Sequence, residues 1–134
     1  MPERWTFRTS EASARYLRDL MSNIGVLVVG RRLFDYTHGW RGKHPFDVPV
    51  FVVTHSVPKG SLHEDAPFTF VTEGVESAIT QAKPVAGEGW VGVAGPNVAQ
   101  QCLNAGLIDE LRIYPVPVLL GEGIPFSTSS RAPP

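Results

Sequence analysis

Short runs of β-branched and other apolar residues recur along the chain, and segments with a helical pattern stand between them. The runs occupy residues 26–29, 50–54, 68–71 and 91–94. A run of four or five such residues is typical of a strand that is buried on both faces. Strands that alternate with helices form βαβ units. The sequence therefore predicts an α/β fold with a mainly parallel sheet that helices cover on both faces.

The helical segments carry start and stop signals. Thr9 or Ser10 is predicted to cap a helix that runs to about Asn23. Its buried stripe is expected to comprise Leu17, Leu20, Met21 and Ile24. A short helix through Phe34 and Asp35 follows the first strand, and a longer helix is predicted over residues 74–83.

The last third of the chain predicts one more helix and one more strand. The helix spans residues 96–105, with Val98, Cys102 and Ala105 facing the core, and Gly106 suits a left-handed C-terminal cap. The strand spans residues 111–120. Because it contains two prolines, it is expected at a sheet edge or as an irregular strand.

Composition narrows the class of protein. The chain has 134 residues, a net charge of -1 and one cysteine, which predicts a single domain with no disulfide and no affinity for nucleic acid. No apolar run suits a membrane span or a secretory signal, so a cytoplasmic protein is expected. We predict one domain over residues 1–126 and a disordered tail over 127–134. The four histidines lack ligand spacing, so no metal site is predicted.

The predicted strand ends are the place to look for a ligand, because ligands of parallel sheets bind outside the carboxyl ends of the strands. The first strand ends in Gly30-Arg31-Arg32. Glycine permits close approach of a ligand, the next helix offers backbone N–H groups, and two guanidinium groups can bind phosphate. A turn with two solvated arginines is the alternative.

Two further strand ends share this character. Thr54-His55-Ser56 offers hydroxyls and an imidazole where an NAD-selective site has an acidic residue, so a 2′-phosphate is tolerated there. After Gly95 and Pro96, the N–H groups of Asn97, Val98 and Ala99 are expected to be unpaired. A polar loop and an ordinary helix start are the alternatives. Together the three junctions predict a phosphate cradle that suits a dinucleotide.

Other features are weaker. Residues 87–92 spell G-x-G-x-x-G, but a predicted helix precedes them and a strand follows, so we reject them as a dinucleotide motif. Cys102 is predicted to be a small core residue. Asp109 and Glu110 are either paired catalytic carboxylates or a solvated strand start. Trp40 lies in a glycine-rich loop that either closes over a ligand or packs on the domain.

Four segments in order carry a resemblance to a known family. They read GVLVVGRRLFD, VPVFVVTHSVP, FTFVTEGVESAITQAK and WVGVAGPNVAQQCLNAGLIDELRIYPVPVLLGEG. From about Ser10 to Phe126 the chain resembles the dihydrofolate-reductase-like family, in the branch that contains the bacterial riboflavin-biosynthesis reductase domain. The resemblance implies a three-layer α/β sandwich. It also implies an NADPH-dependent reductase whose substrate is a small heterocycle of the pterin or pyrimidine type. The relatives often form homodimers, so a homodimer is expected.

The resemblance also implies site residues. Those that match the family's cofactor-binding motifs are Val29, Gly30, Arg31, Arg32, Thr54, His55, Gly95, Pro96, Asn97 and Val98. Trp40 is expected to form a wall of the substrate pocket. The resemblance points to no catalytic residue, because the S-L-D-G-like segment of the relatives is not found before Trp5.

Two more departures from the family pattern affect the expected function. Pro96 replaces the second glycine of the pyrophosphate loop and removes an N–H donor, and the relatives' further strands are not found after Phe126. A shortened family member is therefore expected, with sheet edges that a partner chain could cover. A non-catalytic NADP-binding or dimerisation remnant, and a nucleotide binder without preference for the 2′-phosphate, are the alternatives.

Overall fold

A computed structural model describes residues 10–42, 47–58, 68–112, 119 and 121 of the chain. Strands and helices alternate along it, as the sequence predicts. The elements are α1 (Glu11–Ser22), β1 (Ile24–Gly30), α2 (Arg31–Tyr36), a 3-10 helix (His38–Gly42), β2 (Val50–Val53), β3 (Phe68–Val71), α3 (Val75–Ala86), β4 (Trp90–Ala94) and α4 (Pro96–Asn104).

The four described strands form one sheet in the order β3-β2-β1-β4, and all three pairings are parallel. In the register of the sheet, Val28 of β1 lies between Phe51 of β2 and Val93 of β4. The carboxyl ends of the strands therefore meet at one margin of the sheet. This confirms the predicted α/β class and places three polar strand ends side by side.

Apolar side chains of β1 alternate between two cores. Val26 and Val28 face α3 and α4 and pack with buried residues such as Ile79 and Cys102. Leu27 and Val29 face the opposite side of the sheet, where they belong to a second core. Each of these four β1 side chains is at most 3% exposed, so the sheet is covered on both faces and the predicted three-layer sandwich is confirmed.

Phe34 anchors α2 to the second core. Its ring makes edge-to-face contacts with Phe68 at 5.6 Å and Phe70 at 5.3 Å between ring centroids. Such pairs add to the free energy gained from burial alone. Since Gly30 is both the last residue of β1 and the N-cap of α2, this packing fixes the start of the helix at the carboxyl end of β1.

Helix α1 begins as predicted but is less buried than predicted. Ser10 is its N-cap and accepts a hydrogen bond from the backbone N–H of Ser13 at 3.1 Å. The predicted buried stripe is wrong, because no residue of α1 is buried and Leu17 and Leu20 are only half-buried. Among the elements that the structure describes, α1 makes its main contacts with β1, and these contacts cover the stripe only in part.

The later helices differ from prediction at their ends. Helix α3 continues to Ala86 through Pro84, three residues beyond the predicted Lys83. In α4, Val98 and Cys102 are buried as predicted, but Ala105 is exposed because it already caps the helix. Gly106 has the predicted left-handed φ of 70°, and the next residue, Leu107, donates its N–H to the carbonyl oxygen of Cys102.

Several predictions fall on other parts of the chain. Residues 1–9, most of the predicted strand over 111–120, and the predicted tail over 127–134 lie outside the described residues. Leu111 and Arg112 are described and are not in a strand. The extent of the domain stays a prediction. None of the helices in the described ranges combines the length and hydropathy that crossing a bilayer requires.

Candidate functional site

A cavity of about 980 Å³ lies at the carboxyl ends of the strands. This volume falls at the upper end of the range typical of small-molecule sites. Nine of the ten residues that match cofactor motifs line it: Gly30, Arg31, Arg32, Thr54, His55, Gly95, Pro96, Asn97 and Val98. Val29 is fully buried in the sheet and is not among the described lining residues. The three predicted junctions therefore meet in one site.

Two glycines let the backbone segments of this cavity approach one another. Gly95 has a φ of 102°, which favours glycine, and a Cβ added there would lie 3.7 Å from the backbone nitrogen of Gly30. A Cβ added at Gly30 would lie 3.1 Å from the Cγ2 atom of Val98. The end of β1 and the start of α4 are thus in close contact, and Gly30 and Gly95 both line the cavity.

The N-terminus of α4 contributes N–H donors to the cavity. Pro96 has no N–H, while Asn97 and Val98 are first-turn residues whose N–H groups lack acceptors within the helix. The predicted free N–H of Ala99 is wrong, because it donates to the carbonyl oxygen of Gly95 at 3.0 Å. Two backbone donors and the positive end of the helix dipole therefore remain for an anion.

The Arg31 side chain spans two of the junctions. Its Nε atom donates to Asp35 Oδ1 at 2.8 Å, and its Nη1 atom donates to Thr54 Oγ1 at 3.1 Å and to the carbonyl oxygen of Ser56 at 2.7 Å. These contacts link the start of α2 to the loop after β2. Asp35 lies one helical turn after Arg31, at the spacing that favours an ion pair.

The Thr54 hydroxyl has all of its hydrogen-bonding capacity in use. It donates to the Ser56 carbonyl oxygen at 2.8 Å, and it accepts from Arg31 Nη1 and from the Ser56 backbone N–H at 3.3 Å. A hydroxyl offers one hydrogen and two lone pairs. Since Thr54 is only 6% exposed, its role in this geometry is to shape the loop rather than to contact a ligand.

Charges of both signs line the cavity. Arg31 and Arg32 are accompanied by the carboxylates of Asp35 and Glu73, and Glu73 accepts a hydrogen bond from the backbone N–H of Thr72 at 3.2 Å. Sequence analysis did not assign either carboxylate to the site. Thr72 and Glu73 follow the carboxyl end of β3, so the strand-end reasoning used for the other junctions could have found them.

The structure does not bring Trp40 to the described lining of this cavity. Its ring packs against Phe68, 6.3 Å away between centroids, among the half-buried residues of the second core. This placement favours the alternative that Trp40 packs on the domain. Its expected contact with a substrate stays a prediction.

The remaining candidates lie elsewhere. Asp109 and Glu110 are exposed and line a second groove of about 740 Å³ beside β4.

Cys102 is a buried free thiol whose pKa is raised by burial, which confirms that it is a core residue. Gly87 caps α3 and β4 follows it, so the rejection of the G-x-G-x-x-G match is confirmed. Within the described ranges, no three metal-ligating side chains come together.

Comparison with known proteins identifies relatives of this chain. The chain is similar to the uncharacterized protein YwjB of Bacillus subtilis, with 26% identity over 110 residues that cover 81% of this chain and 61% of that protein. It is also similar to the crystal structure of a "putative riboflavin biosynthesis protein" from Shewanella sp. PV-4, with 27% identity and a TM-score of 0.67 over 81% of this chain and 61% of that one. The chain thus spans about three-fifths of the length of these relatives.

A family model identifies the group to which the chain belongs. The matched region extends from residue 2 to residue 132 and includes all three junctions of the cavity. It confirms the resemblance found in the sequence: the chain belongs to the RibD C-terminal domain family.

Proposed function

We propose that the protein is an NADPH-dependent reductase that acts on a small heterocyclic substrate of the pterin or pyrimidine type. The observation that carries the proposal is the convergence of three strand-to-helix junctions on one cavity of about 980 Å³. The family membership supports the same conclusion, since the branch that the sequence resembles contains the bacterial riboflavin-biosynthesis reductase domain.

The residues of the cavity fit a dinucleotide. The Asn97 and Val98 N–H groups would bind the diphosphate, because both lie in the first turn of α4. Gly30 and Gly95 line the cavity and carry no side chain, which would let that group come close to the backbone. Arg31 and Arg32 add positive charge at the end of β1. Thr54 and His55 line the side nearest β2.

The protein's part in such a reaction is binding and orientation. NADPH, when bound, supplies the hydride, and the chain holds it against the carboxyl edge of the sheet. Transfer of a hydride to a conjugated heterocycle also needs one proton. The exposed side chains of His55 and Glu73 line the cavity and are the candidates to deliver that proton.

Binding and turnover distinguish this proposal from its alternatives. Isothermal titration calorimetry with NADPH is expected to give a saturable micromolar Kd and weaker binding of NADH. Neither Trp40 nor Trp90 lines the cavity, so calorimetry is a better measure than tryptophan quenching. Oxidation of NADPH at 340 nm with a panel of pterins and pyrimidines then tests the reaction. Binding without turnover of any substrate favours the non-catalytic remnant, and equal affinity for NADH favours a general nucleotide binder.

We also propose a homodimer located in the cytoplasm. Strand β4 ends the described sheet, and three exposed large side chains, Trp90, Leu103 and Leu111, line the groove beside it. Apolar surface of this kind supports an interface. Light scattering coupled to size exclusion is expected to give twice the chain mass of 14.6 kDa, and Leu103→Glu is expected to shift the protein toward monomer. A monomeric mass for the wild type would contradict the dimer.

A further inference from the structure

We propose that Tyr36, the last residue of α2, is a platform on which a planar heteroaromatic ring of the ligand stacks. The ring is either the adenine of a dinucleotide or the heterocycle of the substrate. The inference rests on the proposed function, because it adds a contact within the same cavity. It starts from the direction in which α2 points the tyrosine ring.

Helix α2 directs two aromatic side chains to opposite sides. Phe34 and Tyr36 are two residues apart, which corresponds to about 200° around a helix of 3.6 residues per turn. Phe34 is 3% exposed, whereas Tyr36 is 83% exposed and lines the cavity. The packing that buries Phe34 in the second core therefore turns Tyr36 outward at the cavity wall.

The end of α2 that carries Tyr36 is held in place. Thr37 caps the helix, and its Oγ1 atom lies 2.9 Å from the carbonyl oxygen of Leu33 and 3.1 Å from that of Phe34. Gly39, in the turn that follows, lies so close to Phe34 that an added Cβ would be 3.0 Å from its ring. With the backbone fixed at Tyr36, a stacking ligand has only the two side-chain torsions of the tyrosine to order.

Tyr36 offers a surface that the other lining residues lack. Its side chain makes no hydrogen bond or ring contact with the described part of the chain. Among the apolar lining residues, Val98 is buried, and Leu33 and Val53 are half-buried. Of the described residues that line the cavity, Tyr36 is the one with a six-membered ring. Such a ring gains free energy when a ligand covers it.

The ligands of the proposed function suit this surface. Adenine, pterins and pyrimidines are all flat and aromatic. Stacking on an aromatic side chain depends on the π face rather than on particular donors or acceptors, so it tolerates different bases. The polar groups of the cavity can then orient a ligand whose ring is held by Tyr36.

Two substitutions at Tyr36 separate stacking from other effects. Tyr36→Leu keeps an apolar side chain and removes the π face, so it is expected to weaken ring-bearing ligands by about fivefold to a hundredfold, the range for stacking of one base. Tyr36→Phe keeps the ring and removes the hydroxyl, so it is expected to bind as the wild type does. Inorganic pyrophosphate has no ring, and its affinity is expected to be the same in all three proteins.

The experiment compares the wild type, Tyr36→Leu, Tyr36→Phe and the control Tyr16→Leu by calorimetry and thermal unfolding. Tyr16 is an exposed tyrosine of α1 that is not among the described lining residues, and its hydroxyl accepts a hydrogen bond from Arg112 at 2.8 Å. The probes are NADPH, ADP, pterin and pyrophosphate. Absorption spectra of bound ADP and pterin add a direct measure, because stacking lowers the absorbance of the bound ring.

Each outcome decides the proposal. Weaker binding of ADP or of pterin to Tyr36→Leu, with normal binding to Tyr36→Phe and lowered absorbance only where the ring is kept, supports it, and the probe affected identifies the ring. Equal affinities of the wild type and Tyr36→Leu for both probes overturn it, as does an equal loss of pyrophosphate. A wild type that binds ADP or pterin through Tyr36 but does not bind NADPH contradicts the proposed function and leaves the platform in place. A folded wild type that binds none of the probes overturns both.

Discussion

The start of β1 and the end of α3 touch through Gly25 and Ala86, so closely that a Cβ added to Gly25 would lie 2.7 Å from the carbonyl oxygen of Ala86. Real Cβ atoms essentially never come so near another atom. Because the obstacle is backbone, it cannot rotate away. The glycine is therefore required for α3 to lie against the sheet.

This contact predicts that Gly25→Ala lowers the free energy of unfolding by roughly 1–3 kcal/mol, the cost of overpacking a core. Gly92→Ala is the matched control. Its Cβ would lie 2.8 Å from Leu27 Cδ2, which is the end of a side chain that can change rotamer. Urea unfolding followed by circular dichroism is expected to give the larger loss for Gly25→Ala. Equal losses would show that the backbone at Ala86 yields as readily as the Leu27 side chain.

Thr54 gives a second prediction, because its hydroxyl connects Arg31 to the loop after β2. Thr54→Val keeps the shape and leaves Arg31 Nη1 and the Ser56 N–H each without one partner. We expect a loss of about 0.5–1.5 kcal/mol in the free energy of unfolding, the net value of a hydrogen bond, because Ser56 is exposed and Arg31 is partly exposed. Thr69→Val, at an exposed position of β3, is the control and is expected to be nearly neutral. A Thr54→Val variant as stable as Thr69→Val would contradict the role of the hydroxyl.

Pro96 gives a prediction on affinity. Pro96→Ala restores an N–H at the first position of α4, where it can reach the same anion as Asn97 and Val98. We expect NADPH and NADH to bind more tightly by about two- to tenfold, the value of one hydrogen bond. Pro84→Ala in α3 is the control, since it also replaces a helical proline but lies away from the cavity. Calorimetry measures both, and equal affinities for the two variants would show that the new N–H does not face the anion.

The position of the site could be predicted from the sequence, but the hydrogen bonds within the site could not. Parallel strands bring their carboxyl ends to one margin, so three separate segments around Gly30, Thr54 and Gly95 could be placed together from the order of elements alone. The acceptors of the Arg31 hydrogen bonds depend on the rotamer of its side chain and on the position of Ser56, which lies 25 residues further along the chain. No local pattern carries that information.

Trp40 and Ala105 show two other limits. Trp40 lies in a 3-10 helix with a φ of 49°, a conformation that is uncommon for a non-glycine residue, and its packing on Phe68 depends on that backbone. Ala105 has the spacing of a buried helix position, but the helix ends at Asn104. The periodic spacing of apolar residues does not distinguish the last turn of a helix from its C-cap, because the same residue types occur in both.

The thiol of Cys102 gives the last prediction, which concerns pH. Burial raises its pKa above the ordinary value of 9.0. The folded protein therefore keeps the proton at a pH where the unfolded chain has released it. The resulting stability is fully present below pH 9 and is lost as the pH rises through the pKa of the folded state. Cys102→Ala lacks this dependence. Urea unfolding of both proteins at pH 7 and pH 10 is expected to show the wild type losing more of its free energy of unfolding, and a difference between them that does not change with pH would mean that the thiol titrates alike in both states.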